Sequence, residues 1–106
     1  MPDMSNRTAV VTGAGTGIGT GIARRLAESG ARVLVSACES FDGAERLAAE
    51  LRGSGADVRA VRADFRQAGS ATDVVRSALE AFGHVDILVN NAGRTLVKPF
   101  AECNER

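Results

Sequence analysis

The residues with the most chemical content form one short run, Thr12-Gly13-Ala14-Gly15-Thr16-Gly17-Ile18-Gly19. It follows a β-branched stretch, Thr8-Ala9-Val10-Val11-Thr12, and leads into a segment with helical periodicity. Glycines at a sharp strand-to-helix turn leave the backbone N–H groups of the first helical turn open to an anion, and a pyrophosphate fits there. Without Cβ atoms the loop admits phosphate oxygens against the main chain, and a glycine one turn in lets the helix pack closely on the sheet. The spacing excludes two common phosphate loops. Gly13-x-Gly15 is followed three positions later by Ile18, so the run is not G-x-G-x-x-G, and no Lys-Ser/Thr pair ends it as in a P-loop. It reads T-G-x-x-x-G-x-G.

Other reactive side chains are few. His84 is the sole histidine and lies at the start of the fourth extended run, at the end of the sheet away from the glycine turn. Lys98, the sole lysine, stands beside Pro99 and reads as a solvated charge. Cys38 and Cys103 match no metal or redox spacing and are expected to be free thiols in a reducing compartment. There is no Tyr and no Trp. No Ser/His/Asp or Cys/His arrangement can be assembled from these residues, so the chemistry to expect is binding of a small anionic ligand.

The elements that must position the glycine turn are legible from periodicity. Four apolar, β-branched runs alternate with three helical patterns, which is the signature of repeated βαβ units and a parallel sheet. Ile18, Ile22 and Leu26, with Ala23 and Ala27, predict the core face of a first helix, which Ser29-Gly30 ends. Arg32 to Ser36 predicts the second strand. Ala44, Leu47, Ala48 and Leu51 mark a second helix, broken by Gly53 to Gly55, and Val58 to Ala63 predicts an edge strand. Ser70 with Asp73 three residues on predicts a capping box. It opens a third helix whose Val74, Val75, Ala78, Leu79 and Phe82 face inward before Gly83. Val85 to Val89 predicts a fourth strand covered on both faces. Right-handed crossovers then give an α/β, Rossmann-type three-layer fold, a partial parallel sheet with strand order 3-2-1-4.

With that frame, T-G-x-x-x-G-x-G resembles the nucleotide loop of the short-chain dehydrogenase/reductase family. Asn90-Asn91-Ala92-Gly93, at the end of the fourth strand, matches that family's NNAG, and Asp64-Phe65, past the third strand, matches its acidic-then-apolar pair. The resemblance covers residues 7 to 100. It implies that Gly13, Gly15, Thr16, Gly17, Ile18 and Gly19 hold the cofactor's pyrophosphate. It also implies that Asn90, Asn91, Ala92 and Gly93 brace the sheet and line the adenosine side. The Asp64 carboxylate would accept from the adenine amino group, with the Phe65 N–H reaching the ring. Cys38 would line the adenosine pocket or simply pack.

Coenzyme choice is decided after the second strand, where an acidic residue binds the ribose 2′-OH and a basic one neutralises a 2′-phosphate. The segment Ser36-Ala37-Cys38-Glu39-Ser40 has Ala37 where NAD-preferring relatives carry Asp, and Cys38 where many NADP-preferring ones carry Arg. The missing carboxylate leans toward NADP, whereas Thr16 in place of a basic residue, and Glu39, lean toward NAD; the balance favours NADP over NAD. The family's Ser, Tyr and Lys acid/base groups have no counterpart among these residues. The resemblance therefore implies the N-terminal cofactor-binding portion of an oxidoreductase, a single truncated NAD(P)-binding domain over residues 1–106, inactive alone.

Bulk properties agree. The chain has 106 residues, 44% of them hydrophobic, and its 13 basic and 13 acidic side chains balance. That composition suits one soluble globular domain and argues against a nucleic-acid or membrane-surface binder. With no apolar run of spanning length and no secretory leader, the chain is expected to be cytoplasmic. Two rival readings stand beside the enzyme portion. One is a non-catalytic nucleotide-binding or regulatory module that pairs with another chain, or with itself, through an open edge of the fourth strand. The other is an α/β methyltransferase, which NNAG does not support.

Overall fold

A computed structural model describes residues 3–15, 17–64 and 67–91. Seven elements alternate: β1 (Thr8–Thr12), α1 (Gly17–Glu28), β2 (Arg32–Ala37), α2 (Phe41–Gly53), β3 (Val58–Arg62), α3 (Ser70–Phe82) and β4 (Ile87–Asn90). All strand pairs are parallel and the order is β3-β2-β1-β4, as right-handed crossovers require.

The period of two along each strand sorts the core into two layers. Ala9 and Val11 of β1, with Val33 and Val35 of β2, pack under α1 and α2 against Ala23, Leu26, Ala44, Leu47 and Leu51. Val10 and Leu34 point the other way, under Val74 and Ala78 of α3. β1 is buried along its whole length, so any group at its end is presented by a rigid rod. Between α1 and α2, Arg24 grips Glu50 with both terminal guanidinium nitrogens, at 2.7 and 3.3 Å.

The lower end of the β1–β4 pair is tied by Asp86. Its carboxylate accepts from the Thr8 N–H at 2.8 Å, and its own N–H donates to the Thr8 carbonyl at 2.8 Å. His84 Nε2 lies 3.0 Å from that carboxylate and 3.2 Å from the Asn6 carbonyl oxygen. The histidine is a strut at the end of the sheet remote from the glycine turn.

Several local expectations are corrected. Ile18 does not join the core face of α1 and is 67% exposed; the helix turns Gly19, Ala23, Leu26 and Ala27 inward instead. The Ser70/Asp73 capping box does not form. Gly69 caps α3 in the left-handed conformation, Ser70 Oγ donates to the Asp64 carbonyl, and Asp73 pairs with Arg76 at 3.1 Å. Only Val74 and Ala78 of α3 are buried, while Leu79 is 46% exposed. β4 begins at Ile87 rather than Val85, and among the described residues its sole strand neighbour is β1. Leu88, expected under cover, is 59% exposed. Cys38 is disulfide-bonded rather than a free thiol. Separation along the sequence does not by itself exclude a disulfide.

Candidate dinucleotide site

The parallel register brings the chemically distinctive residues to one end of the sheet. Thr12 aligns with Ser36 on one side and Asn90 on the other, and Ala37 aligns with Arg62. The glycine turn, Cys38, Asp64, Asn90 and Asn91 therefore all lie at or just past the carboxyl ends of strands, where open α/β sheets bind ligands.

The turn is shaped by glycines in two ways. Gly13 and Gly17 take positive φ, 70° and 63°, where a Cβ would strain the backbone. Gly15 and Gly19 lack room rather than torsional freedom. A Cβ on Gly19 would collide with the Gly13 carbonyl and come within 2.9 Å of Asn91 Nδ2, and one on Gly15 would collide with Ser40. A Cβ on Gly43 would collide in turn with the Gly15 carbonyl. The start of α2 is thus pressed directly onto the glycine turn.

Hydrogen bonds tie the turn's carbonyls inward. Asn91 Nδ2 donates to Gly13 O at 3.1 Å, and Thr20 Oγ1 donates to Ala14 O at 2.9 Å. The Ala14 N–H is spent on Ser36 O at 3.0 Å. The Thr12 hydroxyl accepts from the Asn91 N–H at 2.9 Å and faces Val89 O and Asn90 Oδ1 at 3.3 and 3.2 Å. The N–H groups of Gly17, Ile18 and Gly19, in the first turn of α1, have no intrahelical acceptor. Tethered carbonyls beside a helix start whose first amides lack intrahelical acceptors suit an anion.

Beside the turn, on the α3 side, a cleft of about 350 Å³ is lined by Thr12, Gln67, Ser70, Thr72, Leu88 and Asn90. A smaller pocket of about 130 Å³ lies between the end of β3 and α3, lined by Arg62, Asp64, Ser70 and Asp73 among others. The Asp64 carbonyl accepts from Gln67 N–H at 2.9 Å and Ser70 Oγ at 2.7 Å, which fixes that turn. Thr16, Phe65, Ala92 and Gly93 lie outside the described residues. Ser40 and Gly43 are not marked as site residues by the sequence, although each shapes the turn; close backbone approach leaves no signal in residue type except the glycine itself. Among the described residues no cluster of three or more His, Cys, Asp or Glu side chains is placed to hold a metal, and no helix is long and apolar enough to cross a membrane.

Comparison with known proteins agrees with this geometry. A family model described as short chain dehydrogenase matches residues 7–106. The 3-oxoacyl-acyl-carrier-protein reductase of Staphylococcus epidermidis is 40% identical over 90 residues, covering 85% of this chain and 37% of that protein. A short-chain dehydrogenase/reductase double mutant from Serratia marcescens superposes with a TM-score of 0.81 at 41% identity, over 86% of this chain and 37% of that one. A blue fluorescent protein from a metagenomic library, solved in complex with NADPH, superposes with a TM-score of 0.80 at 36% identity, over 84% of this chain and 37% of that one. The chain spans between 34% and 39% of the length of the curated relatives it matches.

Proposed function

The chain belongs to the short chain dehydrogenase family, and we propose that it supplies the NAD(P)-binding portion of an oxidoreductase that transfers hydride between nicotinamide and a carbonyl or alcohol. Residues 1–106 are read as one nucleotide-binding domain. The observation that carries this reading is the glycine turn at the start of α1, with its carbonyls tied to Asn91 and Thr20 and the first-turn amides of the helix without intrahelical acceptors. A dinucleotide fits the residues present. Gly13, Gly15, Thr16, Gly17, Ile18 and Gly19 hold the pyrophosphate. Asp64 and the Phe65 backbone take the adenine, and Asn90, Asn91, Ala92 and Gly93 brace the turn and line the adenosine side, with Cys38 at the ribose end.

The cofactor, when bound, supplies the hydride chemistry. This chain contains no Tyr, and its sole Lys is Lys98 beside Pro99. A phenol of ordinary pKa near 10 that needs a neighbouring cation to work at neutral pH is not among its side chains. We therefore read the chain as binding the cofactor without turning it over alone. NADP is favoured over NAD because β2 ends in Ala37 rather than a carboxylate, and a structural neighbour is in complex with NADPH.

Calorimetric titration of the folded chain with NADPH and NADH tests this. Saturable binding that a Gly17→Asp variant abolishes supports it, since a carboxylate beside the cradle repels the pyrophosphate. A folded chain that binds neither coenzyme overturns it.

One observation favours a second reading, a non-catalytic module that pairs with another chain or itself along β4. Leu88 is 59% exposed on a strand whose sole partner among the described residues is β1, and an exposed apolar edge is a pairing site. Sedimentation of wild type against Leu88→Lys separates the readings: a dimer dispersed by the lysine favours the module.

A further inference from the structure

We propose that Arg62, on β3, is the residue that selects a 2′-phosphorylated nucleotide. The inference rests on the nucleotide-binding reading above and adds a specificity residue that the β2–α2 turn itself does not contain.

The discriminating position in such folds is the end of the second strand, where a carboxylate takes the ribose 2′-OH and a nearby cation takes a 2′-phosphate. Here β2 closes with Ser36 and Ala37, and the next residue is Cys38. None of these is charged. The register pairs Ala37 with Arg62, so a cation stands beside that position on the neighbouring strand. The Arg62 side chain reaches across β2: Nη1 donates to the Cys38 carbonyl oxygen at 2.8 Å, and the guanidinium lies 4.8 Å from the centre of the Phe41 ring at the start of α2.

These two contacts hold the guanidinium without neutralising it. A carbonyl occupies one of its five N–H donors and an aromatic face carries no formal charge. Arg7, Arg24, Arg59 and Arg76 each face a carboxylate within 4.0 Å; among the described residues Arg62 has none, a lack it shares with Arg25, Arg32, Arg46 and Arg52, and what sets it apart is its place opposite Ala37 at the end of β2. A fixed, unneutralised guanidinium with free donors is suited to bidentate capture of a phosphate.

The same corner is coupled to the pyrophosphate cradle. Ser40, two residues past Cys38, is packed against Gly15, and Gly43 against the Gly15 carbonyl. Arg62 is thereby anchored on the segment that touches the glycine turn. Glu39 and Asp42 are the carboxylates on this segment, and both oppose a phosphate. Arg62 offsets them, so its effect is a preference between nucleotides.

The test is calorimetric titration of the chain with ADP-ribose and with 2′-phospho-ADP-ribose. Wild type is expected to bind the 2′-phosphorylated ligand more tightly. Arg62→Gln should reduce that preference about ten- to a hundredfold, the size expected for hydrogen bonds to a charged group, with ADP-ribose affinity unchanged. Arg62→Lys should restore part of it. In wild type, which needs no variant to fold, the Arg62 Nε–Hε resonance should move with the 2′-phosphorylated ligand and stay fixed with ADP-ribose. Equal affinity of wild type for the two ligands, an equal loss of both in Arg62→Gln, or an unmoved resonance overturns the assignment while leaving nucleotide binding intact. Binding of neither ligand by folded wild type overturns the nucleotide-binding reading and this inference together.

Discussion

The Asn91 side-chain amide donates to the carbonyl oxygen of Gly13 at 3.1 Å, joining the end of β4 to the glycine turn across 78 positions of chain. This bond points the Gly13 carbonyl inward and sets the attitude of the turn. Asn91→Ala removes the donor and leaves a part-buried carbonyl without it, a cost of about 1 kcal/mol in stability. Nucleotide affinity should fall further than stability does, because the cradle loses its brace. Urea unfolding and calorimetry on the same variant measure the two effects; a variant that unfolds earlier yet binds as wild type would contradict the bracing role.

Gly17 and Gly19 should fail for different reasons. Around Gly17 there is open space but φ is +63°, so Gly17→Ala costs about 1–2 kcal/mol in backbone strain, and Gly17→Asn, which tolerates that conformation, costs less. Gly19 has no left-handed φ but no room, so Gly19→Ala costs about 1–3 kcal/mol by overpacking and Gly19→Asn costs more. Denaturation midpoints of the four variants should show this crossed ranking.

Thr12 matters through its hydroxyl rather than its shape. It accepts from the Asn91 N–H at 2.9 Å. Thr12→Val, nearly equal in volume, should lower stability by about 1–3 kcal/mol by stranding that donor, whereas Thr12→Ser should retain most of it. Amide hydrogen exchange at Asn91 reports the difference directly, with faster exchange in the valine variant alone.

The Arg24–Glu50 pair makes a pH prediction of known sign. The hydrogen bond from Arg24, and then its charge, hold the Glu50 carboxyl below its usual range. A carboxylate whose folded pKa is depressed stabilises the fold above its unfolded pKa, near 4.3, and loses that contribution as pH falls through the folded value. In Arg24→Gln, carbon-detected NMR titration should find Glu50 returned upward to the ordinary range. Because both side chains are partly solvent-exposed, the effect on stability is small and screened by salt.

Among the described residues Leu34 is the largest fully buried side chain, 1% exposed, in the layer beneath α3. Leu34→Ala should cost about 2–5 kcal/mol, a large share of the stability of a domain this size. Loss of the cooperative thermal transition in this variant, with Leu88→Lys folded normally, would separate the core from the exposed edge.

The sequence by itself determined the alternation of elements, the strand order and the position of the glycine turn, because all three depend on local information. β-Branched runs, 3.6-residue apolar stripes and left-handed glycines are written residue by residue, and handedness of the crossovers does the rest. Gly13, Gly15, Gly17, Gly19, Asn90 and Asn91 were legible for the same reason, as spacing within short segments.

What only the tertiary structure decided are relationships between distant segments and the burial that follows from them. Ile18 and Leu88 carry apolar side chains in helix- and strand-like patterns, yet both are exposed, since periodicity gives a face and not what covers it. Ser70 and Asp73 have the spacing of a capping box, but the Asp64 carbonyl and Arg76 compete for them and prevail. The seat of Ser40 on Gly15 and the reach of Arg62 to the Cys38 carbonyl depend on the parallel register of β2 and β3 and on how α2 settles on the turn. Long-range placement of this kind is fixed when the layers pack, and no window of sequence contains it.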